Sequence, residues 1–277
     1  MNAPRLLLRT EHYTEGVVVD DAGTIFFSMT SVGTISRFEP GSGSATVWAH
    51  VPAANGHAIG ADGTHVVMSS VGALVGLDAN GRATKVFATR VDGRWLTYPN
   101  DVALDPQRGG FYVTDSGYKT TPATMPPDPQ GRLYRVEPDA AVRQVADGIA
   151  YSNGIALSPD GRRLYVGESV GGRIWSYAAL EDGTLGERTL LAQTPTVSGK
   201  TTVPDGITVG ADGRLYVAHY GACEVLVYEA DGTLARRLAA GNTTTSHVAF
   251  APGGRTLYVS GGIDDESGPG AIFAIDL

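Results

Sequence analysis

A short pattern recurs six times in the 277 residues, and it limits the possible folds more than any other feature. A polar residue opens a run of small alternating apolar residues, a turn follows, and a β-rich run returns. The copies open at Glu15, Asn55, Asn100, Asn153, Asp205 and Ser246, separated by 40 to 53 residues, the size of a four-stranded propeller blade. Their turns carry Asp21 to Gly23, Asp62-Gly63, Pro106 to Gly110, Asp160-Gly161, Asp212-Gly213 and Pro252 to Gly254, where glycine permits the positive φ of tight hairpins. Return runs such as Phe111 to Asp115, Leu164 to Glu168 and Leu215 to His219 supply the next strand. The 14 residues before Glu15 and the 31 after Ser246 together make one more blade. The spacing therefore predicts an all-β, six-bladed β-propeller over residues 1–277 with no internal domain boundary. Its ring closes where the N-terminal strand around Leu6 to Arg9 pairs beside Ala271 to Asp276, which hides an exposed edge. No apolar stripe of 3.6-residue period is sustained, so an α/β fold is excluded.

Composition narrows the partners. With 29 acidic against 21 basic side chains the net charge is -8, and no Lys/Arg cluster can track a phosphate backbone, so nucleic acid is not an expected partner. The lone Cys223 can form neither an internal disulfide nor a cysteine-rich zinc site. The start lacks a signal-peptide pattern and no apolar run is long enough to cross a bilayer, so the expectation is a cytoplasmic protein without a membrane partner, monomeric or a weak homo-oligomer.

Small apolar residues in the repeat fill crowded inner strands. The six opening residues need a further reason. If each inner strand starts at one mouth of the central channel, its opening residue sits at that mouth, joined by the return-strand ends Asp115, Glu168 and His219. Asn or Asp opening a strand is also an ordinary turn cap. As a set, however, Glu15, Asn100, Asn153 and Asp205 would bring two carboxylates and two amides to one axis, and a cation relieves the repulsion of the carboxylates. All-oxygen ligation favours Ca²⁺, with Mg²⁺, Mn²⁺ or Zn²⁺ compatible with the same groups.

The order and spacing of Glu15-Gly16, Ala54 to Gly56, Pro99 to Asp101 with Tyr112 to Gly117, Ser152 to Gly154 and Pro204 to Gly206 resemble the senescence-marker-protein, gluconolactonase and regucalcin family of six-bladed propellers. The resemblance covers essentially the whole chain. It implies a divalent cation held by Glu15, Asn153 and Asp205, with Asn100 on metal or substrate, and hydrolysis of a small-molecule lactone. In such a reaction the cation acts as Lewis acid on the carbonyl oxygen. Asp205 is then the candidate to orient or deprotonate water, with Asp101 or His219 as other acceptors. Substrate contacts are expected from Asn100, Tyr98, Asp101, Asn55, His219 and Met29. Sugar-lactone members often carry arginine where this chain has Tyr98, and Met29 puts a soft apolar group at the rim, so a less hydroxylated ring is expected. Residues 116–131, rich in Thr and Pro, form either a lid or an ordinary long connection. His57, His219 and His247 either line the channel or pack structurally. Ser152 to Gly154 lacks the G-x-S-x-G elbow of a serine hydrolase. Competing readings are cleavage of a phosphoester or phosphofluoridate at the same metal, condensation chemistry using Gly167 to Ser169, and a non-catalytic calcium-binding propeller.

Overall fold

The computed structural model describes residues 3–117 and 129–277. Among these, the strands form six four-stranded antiparallel sheets and one two-stranded hairpin. The innermost strands of blades 1 to 6 are Glu15–Val19, Ala54–Ile59, Pro99–Leu104, Ser152–Leu157, Val203–Val209 and Thr244–Phe250, so every repeat copy starts at, or one or two residues inside, an inner strand. The sixth sheet runs from Thr244–Phe250 through Thr256–Gly262 and Gly270–Asp276 to the N-terminal strand Arg5–Arg9. Arg5 pairs with Ala274 and Arg9 with Ala271, which closes the ring as the sequence predicts. The hairpin, Arg90–Val91 against Arg94–Trp95, is an insertion between blades 2 and 3 that the repeat spacing does not reveal.

The buried apolar residues fall into six clusters, each between two neighbouring blades, so the core is a ring of interfaces. The cluster joining the first and last blades contains Leu8, Val17, Ile25, Phe27, Tyr258 and Ile272. It depends on the N-terminal strand as much as on the blades it joins.

At the opening residue of every inner strand the pairing with its neighbour slips by one residue. Pro99 pairs with Asp115 but Val102 with Val113, and Ser152 pairs with Glu168 but Ile155 with Val166. The same slip lies between Glu15 and Val18, Ala54 and His57, Pro204 and Ile207, and Thr245 and His247. Such a bulge bends the strand and re-aims side chains, here toward the axis. Glycine follows the opening residue in four blades because the strands crowd there. A Cβ on Gly154 would lie 2.1 Å from the Asp205 carbonyl oxygen, and one on Gly16 2.1 Å from that of Asn55.

Candidate functional site

One end of the channel opens into a cavity of about 560 Å³. Its lining includes five of the six opening residues: Glu15, Asn55, Asn100, Asn153 and Asp205. The sixth, Ser246, is buried instead, its hydroxyl donating to the Thr14 carbonyl.

The three asparagines are set by one device repeated in three blades. The Asn55 amide nitrogen donates to Ser70 Oγ at 3.1 Å, that of Asn100 to Ser116 Oγ at 3.1 Å and that of Asn153 to Ser169 Oγ at 3.0 Å. Each serine in turn donates to a carbonyl of the following blade: Ser70 to Pro99 at 3.2 Å, Ser116 to Ser152 at 2.7 Å and Ser169 to Pro204 at 2.9 Å. Each amide oxygen is then left for the cavity as an acceptor, and the second N–H of Asn153 donates toward the Asp205 carboxylate.

The carboxylates are more strained electrostatically. Burial, with the charge of Asp101 adding to it, pushes Glu15 up to about 7, although His247, the Tyr13 hydroxyl and the Gly16 N–H pull it down. Tyr13 donates to Glu15 Oε1 at 2.9 Å. Asp205 is raised well above the ordinary carboxylate range by burial, then by the charges of Glu15 and Asp101, while the Asn153 amide opposes the shift. Two acids from blades 1 and 5 thus share one partly dry volume. Among the described residues no three His, Cys, Asp or Glu side chains are grouped to hold a metal. The available donor set is two carboxylates completed by amide oxygens, which is hard-cation chemistry and fits a divalent ion of the calcium type.

Beneath this ring the channel has a floor. Where the other blades carry glycine after the opening residue, blades 3 and 6 carry Asp101 and His247, and these meet from opposite sides with His247 Nε2 3.3 Å from Asp101 Oδ1. Asp101 also accepts from its neighbour Val102 N–H at 2.9 Å and from Ile155 N–H of blade 4 at 3.1 Å. Burial lowers the His247 pKa, but Asp101 and Glu15 outweigh it and the net shift is upward. Asp101, His247 and His57 line a second cavity of about 340 Å³ that runs toward the other end of the channel. Asp101, expected at the substrate, is therefore part of the floor.

Other expectations also change. His219 is fully buried and does not line the mouth cavity; its Nδ1 lies 2.9 Å from Glu224 Oε1, inside blade 5. Asp115 turns back to accept from the N–H groups of Thr97 at 2.9 Å and Tyr98 at 2.7 Å. Glu168 accepts from Ala150 N–H and Trp175 Nε1, each at 3.1 Å. Asp115 and Glu168 end strands next to loops whose backbone N–H groups need an acceptor, a demand that outweighs solvent at the mouth, whereas His219 donates to the Glu224 carboxylate. Met29 packs against the cluster between blades 6 and 1 and does not line the cavity. Tyr98 does line it, beside Tyr13, Tyr151 and Tyr220. Of these tyrosines only Tyr98 was expected; all but Tyr220 stand two residues before an opening residue, which is the sequence signal that would have found them. Most of the suggested lid, residues 118–128, lies outside the described residues.

Comparison with known proteins agrees with this architecture. A pentonolactonase of Haloferax volcanii is 32% identical over 188 residues, 62% of this chain and 63% of the relative, so the chain spans less than two thirds of that protein's length. A gluconolactonase of Xanthomonas campestris superposes with a TM-score of 0.82 at 25% identity, covering 100% of this chain and 95% of the other. A calcium-binding regucalcin of Agrobacterium tumefaciens gives 0.82 at 23% identity, over 99% of this chain and 93% of the other, a likeness of fold. The sequence profile described as SMP-30/Gluconolactonase/LRE-like region matches residues 13–262, and the chain belongs to that family.

Proposed function

We propose that the chain hydrolyses lactones with a divalent cation held at the mouth of its channel by Glu15, Asn153, Asp205 and Asn100. One observation carries this reading: two buried carboxylates from different blades, Glu15 and Asp205, line one cavity that also presents amide oxygens, and burial raises the proton affinity of both, the charge of Glu15 adding to that of Asp205. A carboxylate pair of that kind is relieved by a proton or a cation. Lactonase names among the relatives supply the reaction class. The bound cation supplies Lewis-acid polarisation of an ester carbonyl.

The chain's own groups do the rest. Asp205, held by the Asn153 amide, is placed to orient the attacking water and take its proton. The Asn100 amide oxygen accepts a hydrogen bond from the water or joins the ligand set. Attack forms a carbon–oxygen bond at the carbonyl carbon, the ring ester bond breaks, and the departing alkoxide recovers a proton. Tyr13 fixes Glu15 by its 2.9 Å hydrogen bond, so that the carboxylate does not follow the water. Ca²⁺ is the favoured ion, Mg²⁺, Mn²⁺ and Zn²⁺ being the alternatives, and a neutral small molecule in the cell interior is the intended partner.

The test is turnover of aliphatic, aromatic and sugar lactones after chelation and after return of each ion. Glu15→Gln and Asp205→Asn are each expected to lower kcat/KM by about a hundredfold or more with the fold intact. Hydrolysis that ignores both chelator and substitutions contradicts the proposal. Metal binding without turnover of lactones would instead indicate a binding propeller.

A further inference from the structure

The positions two residues before the opening residues form a second tier of the repeat: Tyr13, Ala53, Tyr98, Tyr151, Val203 and Thr244. In blades 1, 3, 4 and 5 both tiers line the same cavity. Where blade 5 offers only Val203, its strand partner Tyr220 lines the cavity as well. Among the described residues no lysine or arginine lines this volume.

The tyrosines are held in place. Tyr151 adopts φ 65, a left-handed conformation costly for an aromatic residue, and its carbonyl accepts from Ser169 N–H at 3.0 Å. Tyr98 is carried by a loop whose N–H groups are tied to Asp115 at 2.9 and 2.7 Å. The two rings lie 6.2 Å apart with planes at 46°. Several hydroxyls that might greet a polyol are already committed: Tyr13 to Glu15, Thr30 to the Ala54 carbonyl at 2.7 Å, and Ser169 to Pro204. A buried substrate hydroxyl left without a partner loses the hydrogen bonds it made to water, whereas an aryl or alkyl face gains by leaving water.

We infer that Tyr13, Tyr98 and Tyr151 form an aromatic collar above the oxygen ring that selects an uncharged lactone bearing an aryl or alkyl substituent over a polyhydroxylated one. This rests on the lactonase reading for the ring chemistry, but the collar can be probed without turnover. The experiment measures binding of three non-hydrolysable lactams to the Ca²⁺-loaded full chain by calorimetry: γ-phenyl-γ-butyrolactam, γ-butyrolactam and glucono-δ-lactam. In parallel, kcat/KM is measured for the matching lactones. The phenyl lactam is expected to bind about tenfold tighter than the unsubstituted ring, and the polyhydroxylated one no tighter than the latter. In Tyr98→Leu and Tyr151→Ala, checked for retained β-sheet by circular dichroism, the ratio of phenyl to unsubstituted affinity falls toward one. The matching lactones lose their preference mainly through KM. A merely structural role would lower both affinities together and leave the ratio unchanged. Equal affinities, tighter binding of glucono-δ-lactam, no binding of the phenyl lactam, or a preference that survives both substitutions overturns the collar. A lactam preference with no turnover of any lactone would leave the collar standing and count against the hydrolase reading.

Discussion

Each asparagine of the ring is only as well aimed as the serine behind it. Ser169 both receives the Asn153 amide at 3.0 Å and bridges to Pro204 of the next blade at 2.9 Å, so Ser169→Ala frees the amide to rotate and leaves a carbonyl short of a donor. Calcium affinity should fall by about ten- to a hundredfold, with about 1 kcal/mol of stability lost, as titration calorimetry and denaturant unfolding would show. Unchanged affinity would mean that the relay does not aim the ligand. The proton affinity of Glu15 makes a second prediction. Its folded value of about 7 lies above the ordinary 4.5, so the metal-free fold holds a proton that the unfolded chain has lost. Its contribution to stability is therefore fully present below 4.5 and is lost as pH rises toward 7. A cation removes that penalty, so the rise in Tm on adding Ca²⁺ should be larger at about pH 8 than at about pH 5. A pH-independent rise contradicts the shared-site account. The buried pair His57 and His65, 2.8 Å apart, acts in the opposite sense. Burial lowers both, His65 to about 4, so their contribution to stability is lost as pH falls from 6.5 toward 4, and His65→Gln should flatten that part of the stability curve.

Among the elements the inner strand does the most. Six times it carries the slip, in five blades the opening residue beside it lines the mouth cavity, and in four the next residue is glycine. A Cβ at Gly154 would meet the Asp205 carbonyl oxygen at 2.1 Å, with the Ile207 nitrogen 2.6 Å away. Both contacts are backbone, so nothing flexible can yield. Gly154→Ala should cost about 3 kcal/mol or more and displace Asp205, and equilibrium unfolding with a Ca²⁺ titration measures both. An Ala variant with wild-type stability and affinity would show that the blades can part at this point. The opening residues were legible in sequence because the repeat aligns them and because carboxylates and amides are unusual at the start of a crowded strand. The slip was not, since it depends on which residue of the neighbouring strand is opposite. That is also why Asp101 was expected at the substrate: a one-residue slip decides whether a side chain faces mouth or floor. His219 was misplaced for another reason. A strand end near the mouth can serve solvent or neighbouring side chains, and Glu224 captures its imidazole at 2.9 Å.

At the scale of the molecule, repeat spacing predicted the ring and its closure because each blade is local in sequence and the leftover ends amount to one blade. The six interface clusters show why closure matters: Leu8, from the N-terminal strand, packs in the same cluster as Val17 of blade 1 and Ile272 of blade 6. Leu8→Ala should destabilise the whole ring by about 2 to 4 kcal/mol in a single cooperative unfolding transition, read by circular dichroism. A separate early transition confined to the last blade would show instead that the ring opens locally. Closure also fixes the distance between blades 1 and 5, whose Glu15 and Asp205 must stay together against their own repulsion. The central claim is that these far-apart residues grip one ion. Anomalous diffraction from crystals equilibrated with Mn²⁺ tests it most directly. The account predicts one strong peak in the mouth cavity within coordination distance of Glu15, Asn153 and Asp205, absent in Asp205→Asn. A mouth cavity without a peak, or a peak coordinated by other side chains, would contradict it.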